Sequence, residues 1–218
     1  ILPFLNGEVV AVRLKDGSQV GRRRMGKGPV VDLTLRGDWI YFALPRENKQ
    51  LVSYDISGGK FNWRRKLSKG SSSMGADSRL LFVVAGRELI ALNQTDGSIS
   101  WNKSEENPIG SSLLSQGKQL FYTDRRGNLI CRESESGGLN WKRSLSSGVP
   151  YESPSTTGET LIVTTLAGAV VALNVFDGAI IWEKSVGHSV YASPVIEDGL
   201  AFVASSSGEV KALRLADG

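Results

Sequence analysis

The chain has 218 residues, 40% hydrophobic and 22% charged, values that suit one sizeable core or two small domains and exclude a disordered or collagen-like chain. Net charge is +4, from 26 Lys and Arg against 22 Asp and Glu. The basic residues are scattered apart from Arg22-Arg23-Arg24 with Lys27 and Arg64-Arg65-Lys66. That spread argues against a nucleic-acid interface and reads as solvated outer-strand charge. One cysteine, Cys131, excludes an internal disulfide, and no run approaches the ~20 apolar residues of a membrane-spanning helix.

The N-terminal stretch reads as a short strand in Ile1–Leu5, a second strand ending near Val12, and a turn at Asp16-Gly17. From there the chain repeats itself. Turn glycines fall at Gly17, Gly59, Gly97, Gly137, Gly178 and Gly218, a period of ~40 residues. Six residues before each glycine the slot is small: Ala11, Ser53, Ala91, Cys131, Ala172 and Ala212. The next slot holds Val12, Tyr54, Leu92, Arg132, Leu173 or Leu213. Four residues after the glycine stands a tryptophan: Trp63, Trp101, Trp141 and Trp182, with Gly21 in the first copy.

Between anchors the apolar residues alternate or form short runs, without a helical stripe. In the last interval, strands are expected at Tyr191–Ile196, Leu200–Ala204 and Glu209–Leu213, separated by turns at Glu197-Asp198-Gly199 and Ser205–Gly208. Each unit therefore predicts four short antiparallel strands, the fourth carrying the tryptophan. One such sheet cannot bury both faces alone, so radial stacking into a β-propeller is expected, with the tryptophans filling the widening gap between blades.

The stretches Ala91–Trp101 and Ala172–Trp182 follow Ala-Leu-Asn-x-x-Asp-Gly-x-x-x-Trp. This resembles the tryptophan-docking motif of the pyrroloquinoline-quinone-like (PQQ-like) propeller family, and Ser153-Pro154 and Ser193-Pro194 are similar to that family's first strands. The resemblance covers essentially the whole chain. It implies one propeller domain or propeller fragment over residues 1–218, with about five to six repeats. The first repeat contributes its last strands, four complete blades span roughly 28–187, and the final repeat stops where a tryptophan strand should begin. That count predicts a fragment of a seven- or eight-bladed ring, with two open sheet edges able to self-associate.

Cys131 reads as a buried small residue, the single histidine His188 as a linker residue, and Asp96, Asp177, Asp217, Asn93 and Asn174 as turn formers rather than calcium ligands. First strands line the channel of a propeller, so Asp32, Tyr151, Glu152 and Tyr191 are the candidate binding residues, with Ser73, Ser112, Ser153 and Ser193 beside them. No catalytic, metal or cofactor-binding residue is expected. Quinone-dependent dehydrogenases of the family use an adjacent-cysteine disulfide, which a chain with one cysteine cannot form. Within the family, the resemblance is nearest to the lipoprotein propellers of the bacterial outer-membrane β-barrel assembly machinery. It implies a non-enzymatic, cofactor-free scaffold in the periplasm or otherwise exported, which binds protein partners through blade loops or exposed edges, with no nucleic acid and no membrane insertion. A quinone-dependent dehydrogenase-type propeller and a ligand-sensing ectodomain of a larger receptor stand as the alternatives.

Overall fold

The computed structural model describes residues 1–150 and 152–218, and every regular element in them is a strand. The chain divides into two compact units, Ile1–Ser104 and Glu105–Gly218.

The first unit opens with a three-stranded sheet of β1 (Leu2–Pro3), β2 (Glu8–Val12) and β3 (Gln19–Arg24), in that order. Two four-stranded sheets follow. One is β4 (Val31–Arg36), β5 (Trp39–Leu44), β6 (Gln50–Asp55) and β7 (Lys60–Lys66); the other is β8 (Ser73–Ala76), β9 (Leu80–Ala85), β10 (Glu88–Asn93) and β11 (Ile99–Ser104). The second unit holds two more four-stranded sheets. They are β12 (Leu114–Gln116), β13 (Gln119–Thr123), β14 (Asn128–Glu133) and β15 (Leu139–Ser144), then β16 (Ser155–Thr156), β17 (Thr160–Thr164), β18 (Ala169–Asn174) and β19 (Ile180–Ser185). It ends in a three-stranded sheet of β20 (Val195–Glu197), β21 (Leu200–Ala204) and β22 (Val210–Arg214). Every sheet is an antiparallel meander of sequence neighbours, and the four complete sheets fall where the repeat places them.

The repeat's fixed positions have a common geometric cause. In each of the five outermost hairpins the register shifts right after the small slot. The residue in that slot pairs directly with the tryptophan position: Ser53 with Trp63, Ala91 with Trp101, Cys131 with Trp141, Ala172 with Trp182, and Ala11 with Gly21. A small side chain there leaves room for the indole across the ladder. The extra residue of the bulge stands just before the tryptophan position, and the turn glycine ahead of it is in the left-handed region, with φ of 61° at Gly59 and 69° at Gly178.

The innermost strands are shorter than expected. Tyr191–Ser193 precede β20 rather than belonging to it, and Glu152 precedes β16. Pro194 and Pro154 account for this, because proline brings no N–H to a ladder and restricts the residue before it.

Within each unit the sheets pack face on face. Phe121, Leu129, Cys131 and Trp141 meet Leu161, Val163, Val171 and Leu173 of the following sheet in one cluster. The opposite face of that following sheet, through Ile162, Val170, Ala172 and Trp182, packs on Ala201, Val203 and Leu213. In the first unit, Tyr41 and Leu51 pack on Leu81, Val83 and Leu92, and Val9 and Met25 on Ile40, Phe42 and Tyr54.

Candidate functional site

Three tryptophans show how neighbouring sheets are fastened. The indole N–H of Trp63 donates to the carbonyl of Gln94 at 2.8 Å, that of Trp141 to Val175 at 3.0 Å, and that of Trp182 to Leu215 at 2.8 Å. Each acceptor lies three residues before the turn glycine of the next repeat, and the indole ring lies on that glycine. A Cβ on Gly97 would come within 2.7 Å of the Trp63 ring, and one on Gly178 within 2.7 Å of the Trp141 ring. The turn glycine thus meets two demands, a positive φ and a bare face for the indole. Trp101 is buried as well, with its ring 5.9 Å from that of Phe82.

An arginine reinforces two of these joints. Arg65 donates to the carbonyl of Gly97 at 2.8 Å and Arg143 to that of Gly178 at 2.9 Å. Arg65 is therefore part of a joint between sheets, not the freely solvated charge its basic run suggests. The signal was available in the sequence, since both arginines stand two residues after a tryptophan.

A second feature escaped the sequence reading. Arg132 occupies a slot that is Leu in three other copies. It pairs with the buried Glu105 at 2.9 Å and also donates to the Tyr122 hydroxyl at 2.8 Å and the Gly137 carbonyl. The Tyr122 hydroxyl in turn donates to Glu105 at 2.7 Å. Burial, and then the charge of Glu105, hold the Tyr122 phenol far above its ordinary range. Nearby, buried Asp124 accepts from Asn107, from the Asn128 side chain and from the backbone N–H groups of Arg126 and Asn128. Burial pushes its carboxyl up, but these bonds outweigh it and leave the carboxyl below its ordinary value. Cys131 is buried, and burial raises its thiol to about 11, so it holds little thiolate at neutral pH. The chemistry open to these groups is structural: each buried polar atom is held by fixed bonds.

The candidate binding residues fall in different surroundings. Asp32 lies on β4, in the first unit. It bulges out of register between Val31 and Thr34 with φ at 52°, and its Oδ2 is buried without a hydrogen-bond partner. Burial raises its carboxyl above the ordinary range, opposed more weakly by the nearby Ser71 hydroxyl. Glu152 and Tyr191 lie in the second unit, in the approaches to β16 and β20; Glu152 is half-buried and Tyr191 is 57% exposed. Tyr151 lies outside the described residues. Around them, Ser153 donates to the Ser112 carbonyl at 3.3 Å and Ser155 to that of Pro194, tying successive inner strands together. Among the described residues no group of three or more His, Cys, Asp or Glu could hold a metal ion.

The last sheet presents an apolar face. Val195 is 63% exposed and Val210 69%, and Phe202 is also exposed. At the positions of Phe202 and Val210 in the preceding repeats stand Ile162 and Val170, then Phe121 and Leu129, all fully buried. In the second unit those earlier faces meet a further sheet or, for Ile162 and Val170, this one.

Comparison with known proteins agrees with this architecture. The family model described as outer membrane protein assembly factor BamB matches residues 5–147 and 125–218. A relative of that description from Legionella pneumophila is 26% identical over 187 residues, covering 80% of this chain and 48% of its own length. The chain thus spans about half the length of that relative. Among solved structures, BamB from Moraxella catarrhalis superposes with a TM-score of 0.72 at 18% identity, covering 84% of this chain and 57% of its own. A quinohemoprotein alcohol dehydrogenase from Comamonas testosteroni superposes with a TM-score of 0.71 at 12% identity, covering 85% and 41%. At such identities the two superpositions speak for the fold alone, an all-β propeller of four-stranded antiparallel blades. The family match extends over nearly the whole sequence, and the chain belongs to the PQQ-like repeat family described as outer membrane protein assembly factor BamB.

Proposed function

We propose that this chain is a non-enzymatic, cofactor-free protein-interaction scaffold of the exported, periplasmic kind that serves outer-membrane protein assembly. The observation that carries the reading is the family match over residues 5–147 and 125–218. Blade loops and exposed sheet edges are the proposed protein contacts, and open edges the proposed route to self-association. The tryptophans at 63, 101, 141 and 182 serve this function indirectly, by holding the sheets rigid. Asp32, Glu152 and Tyr191 are proposed as polar contacts beside the inner strands, and Tyr151, outside the described residues, as a further contact. The buried ionisable groups support a scaffold over an enzyme, because Glu105, Arg132 and Asp124 are bound into the packing.

The test is binding to the purified outer-membrane assembly barrel protein of the same organism, by sedimentation or biolayer interferometry. Glu152→Ala with Tyr191→Ala should weaken binding at least tenfold and leave the melting temperature unchanged. Full affinity in that variant, or quinone-dependent dye reduction by the wild type in the presence of calcium, overturns the reading.

A further inference from the structure

The first repeat lacks its tryptophan but keeps everything built to receive one. Gly21 pairs with Ala11 as Trp63 pairs with Ser53, and the same register shift follows. The turn glycine of the next repeat, Gly59, holds the left-handed conformation. A Cβ on Gly59 would meet only the tips of Arg23 and Tyr54, at 3.7 and 3.8 Å, where its counterparts at Gly97 and Gly178 would strike an indole at 2.7 Å. The carbonyl of Ile56 stands three residues before Gly59, the place of the indole acceptors Gln94, Val175 and Leu215. Arg23 occupies the position of Arg65 and Arg143, two residues after the tryptophan slot. Its guanidinium lies 5.1 Å from the centre of the Tyr54 ring. Tyr54, larger than the Leu of three other copies, fills part of the space. What remains is an open cleft of about 310 Å³ bounded by Ala11, Gly21, Arg23, Tyr54, Ile56 and Gly59. That volume is in the lower part of the range of small-ligand sites, ~300–1,000 Å³.

We infer that this cleft receives an aromatic side chain, an indole in the first place, from a polypeptide partner. Three filled copies in the same chain define the complement: a flat ring on the bare glycine and an N–H donated to the backbone carbonyl. The rim adds the charge preference. Arg22, Arg23 and Arg24 follow Gly21 directly; Glu8 pairs with Arg22 at 2.7 Å and also feels the charge of Arg24, while no acidic side chain is paired with Arg23 among the described residues. The docking aromatic is therefore one flanked by Asp or Glu. The inference rests on the scaffold reading only in taking a polypeptide as the source of the ring.

The experiment uses the full chain and three probes: a short acidic peptide with a central Trp, the same peptide with Ala in its place, and N-acetyltryptophanamide. The Trp peptide should bind at least tenfold more tightly than the Ala peptide and more tightly than the amide. Equal binding of the two peptides overturns the aromatic site, and equal binding of Trp peptide and amide overturns the polypeptide source. Gly21→Trp should fill the cleft from within, raise the melting temperature by about 2–4 °C and reduce binding of the Trp peptide at least tenfold. Retained affinity in that variant overturns the assignment. Ala11→Leu fills the same cleft from the opposite strand and gives the same reading should Gly21→Trp fail to fold. Tyr191→Ala should leave binding of the Trp peptide unchanged, so a failure here is separable from a failure of the scaffold reading.

Discussion

The joint at Trp141 and the cleft at Gly21 share one frame and differ by one side chain. Both have a small residue across the ladder, the same bulge, and a following repeat that supplies a glycine with positive φ. At Trp141 the ring fills the frame and the indole N–H binds Val175; at Gly21 the frame persists around open space. The backbone of the repeat is therefore set by pairing and turn chemistry, and the tryptophan contributes burial and a hydrogen bond to a shape that already exists. This explains how one copy can lose its tryptophan without losing its blade.

The largest effect expected from breaking the contrast is at the filled joint. Trp141→Ala should cost about 3–5 kcal/mol, the usual loss for a buried aromatic truncated to alanine. Gly21→Ala should stay within about 0.5 kcal/mol, since its Cβ would meet nothing closer than Ala11 at 3.9 Å. Chemical denaturation of the two variants checks the pair, and equal losses would refute the distinction. Next in size are the turn glycines. Gly59→Ala and Gly178→Ala both place a Cβ in the left-handed region, at about 1–2 kcal/mol. Gly178→Ala also drives that Cβ into the Trp141 ring, adding about 1–3 kcal/mol for overpacking. The excess should vanish when Trp141→Ala is present, which a double-mutant cycle measures.

The arginines sharpen the comparison at a smaller scale. Arg143→Ala removes a donor from the Gly178 carbonyl and should cost about 1 kcal/mol in thermal unfolding. Arg23→Ala, at the corresponding place beside the empty cleft, gives up a cation–π contact with Tyr54 and should cost about half as much.

The fold was largely legible because its signals are local and phased: a short strand leads to a turn glycine in six copies, with Asp before that glycine in four and a tryptophan after it in four. Even the small slot at Ala91 and Cys131 was visible, though its cause, the facing indole, needed the register of the ladder. The site was legible only in part. Arg132 stood in plain view in an apolar slot, but its partners are Glu105, just past the end of β11, and Tyr122 on β13, and no spacing rule links them. Asp32 was named for its strand alone; its bulge and its orphaned oxygen depend on how β4 meets β5, which a linear pattern does not carry. Tyr191 and Glu152 were assigned to first strands by phase, and the prolines after them cut those strands short.

The smallest predicted effect has opposite signs in two carboxyls. Burial raises the folded-state value of Asp32, so its ionised form works against folding. Below the unfolded carboxyl value, ~3.9, the group is neutral in both states and costs nothing; as pH rises through the higher folded value the penalty appears in full. Asp32→Asn is neutral throughout and tolerates positive φ, so it should be more stable than wild type at pH 7, by less than about 1 kcal/mol after solvent screening, and lose that advantage below pH ~4. Asp124 is lowered on folding by its hydrogen bonds, so its contribution is full above the unfolded value and fades as pH falls through the folded one. Asp124→Asn should therefore be less stable than wild type at pH 7 and approach it in acid. Melting temperatures of the two variants between pH 3 and 8 check both signs, and parallel pH profiles would contradict the different environments of these carboxyls.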